Sequence, residues 1–173
     1  MSRHEIVAGT AAPLPLNNLD TDQIMPKQFL FGIDKSGLAR GVLYDLRTDA
    51  SGSPRQDFVL NQPAYRGARM LITGANFGSG SSREHAVWGL VDYGFKAVIS
   101  PRFADIFRGN AGKSGLLAAQ VDEKVVQRLW DHLEEHPGAT VTLDLEARTV
   151  RAGEGPDAID HPLGLFGFPL SVR

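Results

Sequence analysis

Cysteine is absent from all 173 residues of this sequence. The chain therefore forms no disulfide bond and offers no thiolate ligand to a zinc ion or an iron–sulfur cluster. Long apolar runs are also missing, because no stretch approaches the roughly 18 apolar residues that a membrane-spanning helix needs. We expect no membrane partner.

An excess of charge is missing too, since 18 Lys and Arg against 20 Asp and Glu give a formal net charge of -2. Nucleic-acid-binding domains carry a clustered excess of basic residues, so we expect no nucleic-acid partner. Residues 1–16 do not have the basic start and apolar run of a secretory signal. We expect a cytoplasmic protein.

The middle of the chain alternates short apolar runs with amphipathic segments, which predict buried strands and helices respectively. The strands are expected at 68–73, 96–100 and 115–121, and the helices at 82–93 and 102–109. This order is typical of βαβ units with a parallel sheet, so the fold class is α/β. The length fits one domain over residues 1–173.

The flanking regions differ from this core. Residues 122–136 carry an apolar stripe at helical spacing, and residues 139–153 alternate as an antiparallel hairpin does. Residues 10–26 and 34–57 are rich in proline, glycine and polar side chains, so we expect mostly turns there, with at most a short helix near Leu43.

The stretch from Gly74 to Leu90, GANFGSGSSREHAVWGL, is the strongest candidate for a site. Its glycines allow a ligand to approach the backbone closely, and the unpaired N–H groups of the following helix favour an anion. Arg83 can donate two parallel hydrogen bonds to a carboxylate or phosphate. An ordinary helix start, with Ser81 or Ser82 as the N-cap, is the plainer alternative.

Two other motifs suggest different chemistry. Residues 108–115, RGNAGKSG, resemble a phosphate-binding loop, but Phe107 stands where that motif needs its first glycine. We expect only a glycine-rich turn there. His132 and His136, in HLEEH, match a zinc-peptidase pattern. They also lie where a helix ends, and histidines there interact favourably with the helix dipole without a metal.

Three motifs in order resemble the small subunit of 3-isopropylmalate dehydratase, a swivelling domain of the aconitase type. They are NLDTDQIMPKQFL at 18–30, NFGSGSSREHAVWGLVDYGFKAVIS at 76–100 and RFADIFRGNAGKSGLL at 102–117. The resemblance covers residues 7–152 and implies an aconitase-like swivelling domain, with a β-rich, barrel-like sheet flanked by helices.

The resemblance implies roles for individual residues. Ser81 falls on the position of the catalytic base, and Asp22 falls on an active-site carboxylate. Substrate-binding positions fall on Thr21, Gly80, Ser82 and Arg83. No metal ligand is implied in this chain.

The same resemblance implies a partner and a reaction. A separate large subunit is expected to carry a [4Fe-4S] cluster on its own cysteines, and this chain binds no cofactor. Together they would isomerise 2-isopropylmalate to 3-isopropylmalate in leucine biosynthesis, by dehydration and rehydration of a small hydroxy-acid substrate. Stretch 31–43 is expected to be too polar for the core and to set substrate choice.

Alternatives within this resemblance remain open. Related pairs act on homoaconitate, citramalate or dimethylmalate. A non-catalytic carboxylate-binding domain is the other alternative, because the tail from about residue 155 departs from the family's pattern. Ser79 also stands where the family often has cysteine.

Overall fold

The computed structural model describes residues 6–30, 37–80 and 83–166, with the side chains of 165 and 166 left aside. Its strands are β1 Ile6–Leu14, β2 Met70–Thr73, β3 Ala97–Ser100, β4 Leu117–Gln120, β5 Thr140–Asp144, β6 Thr149–Ala152, β7 Ile159–Pro162 and β8 Gly164–Phe166. Its α-helices are α1 Thr21–Ile24, α2 Tyr44–Arg47, α3 Glu84–Tyr93, α4 Asp105–Lys113 and α5 Glu123–Glu135. Short 3-10 turns occur at Lys27–Phe29, Leu38–Gly41, Val59–Asn61 and Pro63–Tyr65.

The strands form one mixed sheet in the order β7-β6-β5-β1-β2-β3-β4-β8. Strands β1 to β4 are parallel, with Ala12 opposite Leu71 and Val98 opposite Ala118. Strands β5, β6 and β7 continue from β1 in antiparallel pairing, and β8 pairs antiparallel with β4. The expected parallel core and the C-terminal hairpin are both confirmed.

Alternation along the strands divides the interior into two cores, because successive strand side chains point to opposite faces. In β2, Leu71 packs into the cluster that includes α3 and α4. Its neighbours Met70 and Ile72 pack into the second cluster, with α5. Helices therefore cover both faces of the parallel strands, as expected for an α/β fold.

Helix α5 follows its predicted pattern closely. Asp122 caps its start by accepting a hydrogen bond from the Lys124 N–H at 2.8 Å. The apolar stripe expected over residues 122–136 is confirmed as the inner face of the helix, where Val125, Val126, Leu129 and Leu133 are buried. The partly buried Trp130 donates its indole N–H to the Ile72 carbonyl at 3.0 Å.

Helix α3 differs from its prediction at both the start and the stripe. It begins at Glu84, two residues later than expected, and ends at Tyr93, where it is capped by Gly94 with a left-handed φ of 118°. The apolar side chains at helical spacing in this segment predict a buried stripe of Ala86, Val87, Leu90 and Val91, and the first three are buried. Val91 is 39% exposed, because Gly89 takes the buried position beside Leu90.

The first third is more ordered than predicted. Residues 10–26 do not consist mostly of turns, because β1 runs to Leu14 and the sheet pairs it on both sides. Its one proline, Pro13, is tolerated since it lies one residue before the strand ends and beyond the segment that pairs with β5. The prediction failed because β1 is central in the sheet while its sequence resembles a loop.

Residues 37–43, the described part of stretch 31–43, are also not too polar for the core. Among them, Leu38, Val42 and Leu43 are at most 6% exposed. Arg47 fixes this part by donating to the Val42 carbonyl at 2.5 Å and the Arg40 carbonyl at 2.6 Å. Burial lowers the pKa of Arg47 below its ordinary value.

The helix α4 overturns the expected turn at residues 108–115. It extends from Asp105 to Lys113, so Gly109 and Gly112 are helical and the turn begins only at Ser114. Among the described residues, no helix is both long and apolar enough to cross a membrane.

Candidate functional site

The loops that follow β1 and β2 run side by side at the carboxyl ends of the parallel strands. We name residues 15–20 and 74–80 the carboxyl-edge loops. Backbone hydrogen bonds join them: Gly74 N–H to Leu16 O at 3.0 Å, Asn18 N–H to Ala75 O at 2.8 Å, Gly78 N–H to Leu19 O at 2.8 Å and Thr21 N–H to Ser79 O at 2.9 Å. Ligands bind at this edge in open α/β sheets, so the pairing positions a candidate site.

The loop after β3 is tied to the same edge. The Asn76 N–H donates to the Arg102 carbonyl at 2.7 Å, and the Ala104 N–H donates to the Phe77 carbonyl at 3.0 Å. The Ser100 hydroxyl donates to the Gly74 carbonyl at 2.8 Å. Three consecutive strand ends are thus linked through backbone groups.

Two asparagines and two glycines give the loops their shape. Asn18 and Asn76 have positive φ angles of 60° and 63°, and the Asn76 amide donates to the Asn18 side-chain oxygen at 3.1 Å. Gly78 has a φ of 83°, and a Cβ there would lie 2.5 Å from the Phe107 Cβ. Gly80 has a φ of 90°, and a Cβ there would lie 3.3 Å from the Asp20 Cβ.

The single-turn helix α1 carries Thr21 and Asp22 to this edge. Asp20 caps it through a capping box, in which its carboxylate accepts from the Gln23 N–H at 2.9 Å. The Gln23 side chain accepts in return from the Asp20 N–H at 3.0 Å. Thr21 is buried at 4% exposure, while the Asp22 side chain is 58% exposed.

Arg83 contacts helix α1 from the segment that follows residues 74–80. It directly precedes α3 in extended conformation, and its side chain is only 13% exposed. Its Nη1 forms an ion pair with the Asp22 carboxylate and donates to the Met25 carbonyl at 3.2 Å. Two acceptors on and beside α1 therefore fix the guanidinium at the start of α3.

The structure brings together four of the six predicted site residues, namely Thr21, Asp22, Gly80 and Arg83. The other two, Ser81 and Ser82, lie outside the described residues. The expected alternative, with Ser81 or Ser82 as the N-cap, is wrong because helix α3 begins at Glu84 and its N-cap position is Arg83. Arg83 occupies the residue position before α3 without a side-chain capping bond.

Sequence reasoning misses the Met25 carbonyl and the asparagine pair. Asn18 and Asn76 carry a usable signal, because asparagine is the non-glycine residue that most readily adopts positive φ. Met25 carries none, since a backbone carbonyl is available at every residue.

His132 and His136 lie elsewhere, in a polar cleft between α5 and the antiparallel strands. The cleft encloses about 950 Å³, and its lining includes Arg128, Asp131 and Arg151. The two imidazole centroids are 5.0 Å apart. Within residues 6–30, 37–80 and 83–166, no group of three or more His, Cys, Asp or Glu could hold a metal ion.

The chain matches known families over most of its length. The profile described as Aconitase C-terminal domain matches residues 1–124, and the profile described as LeuD_N matches residues 127–158. The 3-isopropylmalate dehydratase small subunit of a Nocardioides species is 58% identical over 160 residues, covering 92% of this chain and 76% of that protein. The one from a Roseiflexus species is 55% identical over 150 residues, covering 87% and 74%.

A solved structure agrees with these sequence matches. The crystal structure of 3-isopropylmalate dehydratase from Methanocaldococcus jannaschii superposes with a TM-score of 0.67 at 27% identity. The superposition covers 93% of this chain and 83% of that one. The expected aconitase-like swivelling fold is confirmed.

Proposed function

This chain belongs to the family of 3-isopropylmalate dehydratase small subunits, and we propose that its carboxyl-edge loops and the residues that directly follow them, 21–22 and 81–83, bind the substrate carboxylates and supply the catalytic base. The observation that carries the proposal is the Arg83 guanidinium, which Asp22 and the Met25 carbonyl hold at the start of α3. The chain would then act in leucine biosynthesis as the hydro-lyase subunit that isomerises 2-isopropylmalate to 3-isopropylmalate.

Carboxylate binding is assigned to the start of α3. The first-turn N–H groups of a helix have no intrahelical acceptor, and the helix dipole makes this end positive. Arg83 adds a planar fork of donors, of which Nη1 already contacts Asp22 and Met25. We assign its remaining donors to one substrate carboxylate, with Ser82, Thr21 and Gly80 around it.

Proton removal is assigned to Ser81. A serine hydroxyl is a weak base in water, but a positive helix end and a nearby guanidinium both stabilise its alkoxide. Asp22 is placed on the same turn as Thr21 and faces Arg83. In this proposal Asp22 keeps the guanidinium oriented while Ser81 takes the carbon-bound proton next to a substrate carboxylate.

The remaining chemistry is assigned to a large subunit. No cysteine is present here, so thiolate ligands for a [4Fe-4S] cluster would all come from that partner. The cluster would supply Lewis-acid activation of the leaving hydroxyl when bound. This chain would act as a single swivel-type domain in the cytoplasm, and would present the carboxylate site to the partner.

The substrate is assigned from relatives. The relatives from Nocardioides and Roseiflexus are both named 3-isopropylmalate dehydratase small subunit, and they are 58% and 55% identical to this chain. An enzyme that acts on homoaconitate, citramalate or dimethylmalate instead of 2-isopropylmalate would require different side chains near the bound carboxylates. Residues 31–36, which belong to the stretch expected to set this selectivity, lie outside the described residues.

Reconstitution with a cognate large subunit tests the proposal. Ser81→Ala should lower kcat by about 10²–10⁴-fold, the usual contribution of a general base. KM for 2-isopropylmalate should stay close to its original value. Ser114→Ala, a serine at the end of α4, is the matched control and should leave kcat unchanged.

Two results would contradict the proposal. A reconstituted pair that holds its cluster but does not convert 2-isopropylmalate would exclude the assigned activity. A Ser81→Ala variant that lowers the melting temperature but retains normal kcat would give that serine a structural role and exclude it as the catalytic base.

A further inference from the structure

Met25 lies between the two elements that form the site. Its N–H donates to the Thr21 carbonyl at 2.9 Å and so closes the α1 turn. Its carbonyl accepts from Arg83 Nη1 at 3.2 Å. The backbone of one residue therefore links the turn that carries Asp22 to the arginine at the start of α3.

The Met25 side chain is held in a slot that two glycines create. It is completely buried. A Cβ at Gly89, in the middle of α3, would overlap the Met25 Cε, and a Cβ at Gly41 would lie 2.7 Å from its Sδ. Val42 closes the slot, since its Cγ2 lies 3.1 Å from the position of that Gly89 Cβ.

Glycine inside a helix lowers the stability of the helix relative to alanine, so its presence there calls for a structural explanation. Gly89 has such an explanation, since any side chain there occupies the space of Met25. Gly109, inside α4, forms the natural comparison, because a Cβ at that position would meet nothing within 4 Å. The Gly89 position is thus shaped for Met25 rather than for the helix.

We propose that Met25 is a positioning residue for Arg83, anchored by its side chain between Gly41 and Gly89 and presenting its carbonyl to the guanidinium. The inference rests on the proposed role of Arg83 in carboxylate binding. A displaced Met25 would move the carbonyl and let Arg83 turn away from the substrate. Binding of the ground state and the transition state would weaken together, which raises KM and leaves kcat nearly unchanged.

The test compares two buried methionines in the reconstituted enzyme. Met25→Ala and Met70→Ala remove the same side chain from fully buried positions, but Met70 packs in the second core with α5. We expect both to lower the melting temperature. Only Met25→Ala should raise KM for 2-isopropylmalate, by roughly 10-fold. This change is smaller than the roughly 100-fold loss of rate that a misplacement of about 1 Å can cause.

A conservative variant and a glycine pair complete the design. Met25→Leu keeps the volume and should restore a normal KM. If Met25→Ala does not fold, the KM of Gly89→Ala tests the positioning role in its place, with Gly109→Ala as the control. Gly89→Ala should raise KM, whereas Gly109→Ala should raise the melting temperature and leave KM unchanged.

Three results would overturn the proposal. They are an unchanged KM in folded Met25→Ala, an equal rise in KM for Met70→Ala, and equal behaviour of the two glycine variants. Arg83→Lys separates this proposal from the function on which it rests. A raised KM for Arg83→Lys with a normal KM for Met25→Ala rejects only the positioning role, and a normal KM for Arg83→Lys rejects both.

Discussion

The antiparallel half of the sheet and the carboxyl edge of the parallel half are held together in different ways. Strands β5 to β7 pack apolar side chains such as Val141 and Val150 against α5, and these are fully buried. The carboxyl-edge loops instead pair their backbones, from the Gly74–Leu16 bond to the Thr21–Ser79 bond. The first region is a regular hydrogen-bonded ladder packed on an apolar core, whereas the second is shaped by irregular backbone bonds between loops, with Leu19 and Phe77 buried in the first core.

This difference separates stability from function. A buried leucine contributes about 1.5–3 kcal/mol by leaving water, wherever it lies. Backbone bonds between the loops need no particular side chains, and they bring together the segments that follow, which carry Asp22 and Arg83. We therefore expect substitutions in the antiparallel half to change the free energy of unfolding, and substitutions at the carboxyl edge to change substrate binding.

The largest expected effect is on stability in the antiparallel half. Leu129→Ala empties a fully buried position on α5 and should lower the free energy of unfolding by about 2–5 kcal/mol. Urea denaturation measures the loss. KM of the folded fraction should not change, and a raised KM would show that the two regions are coupled.

A smaller loss is expected at Gly78. An alanine Cβ would lie 2.5 Å from the Phe107 Cβ, so Gly78→Ala should cost about 1–3 kcal/mol from overpacking and also reduce activity. Gly115→Ala is the control, because Gly115 has a similar φ of 78° with open space around it. Equal losses of stability and activity in the two variants would mean that the left-handed backbone, and not the contact with Phe107, sets the effect.

The smallest expected effect compares two aspartate caps. Asp20 caps α1 at the carboxyl edge, and Asp122 caps α5 in the second core. Removing either cap, as Asp20→Ala or Asp122→Ala, should cost about 0.5–2 kcal/mol. Only Asp20→Ala should also raise KM, because its helix carries Asp22. Steady-state kinetics beside thermal unfolding would detect the difference, and an equal KM for both variants would contradict it.

The secondary structure of the antiparallel half is easier to predict from the sequence than the pairing of the carboxyl-edge loops. Helix α5 and the hairpin β5–β6 are predictable because apolar side chains repeat with the period of their element. The pairing of Leu16 with Gly74 leaves no such repeat, since any residue provides the backbone groups. The prediction of turns over residues 10–26 is wrong for a related reason, because β1 is a central strand whose sequence resembles a loop. The role of the Met25 carbonyl has no signal in the sequence.

Arg83 is identifiable without the fold because its chemistry is specific. A guanidinium beside glycines and serines indicates an anion site wherever the chain folds. The partner of Arg83 cannot be derived from spacing, because Asp22 lies on helix α1, and only the pairing of the carboxyl-edge loops brings that helix near Arg83. The resemblance to the dehydratase small subunit implies that Asp22 belongs to the active site, and the structure shows its ion pair with Arg83.

The most direct measurement is KM for 2-isopropylmalate in reconstituted Arg83→Lys and Arg128→Lys enzymes. Arg128 lines the polar cleft of the antiparallel half, where its Nη1 lies 2.8 Å from His161 Nε2. Lysine replaces a two-pronged donor with a point charge. Losing one charge-assisted hydrogen bond of about 1.5–3 kcal/mol should raise KM roughly 10- to 150-fold in Arg83→Lys. Arg128→Lys should leave KM unchanged. A normal KM in Arg83→Lys, or an equal rise in Arg128→Lys, would contradict a carboxylate site at the carboxyl edge.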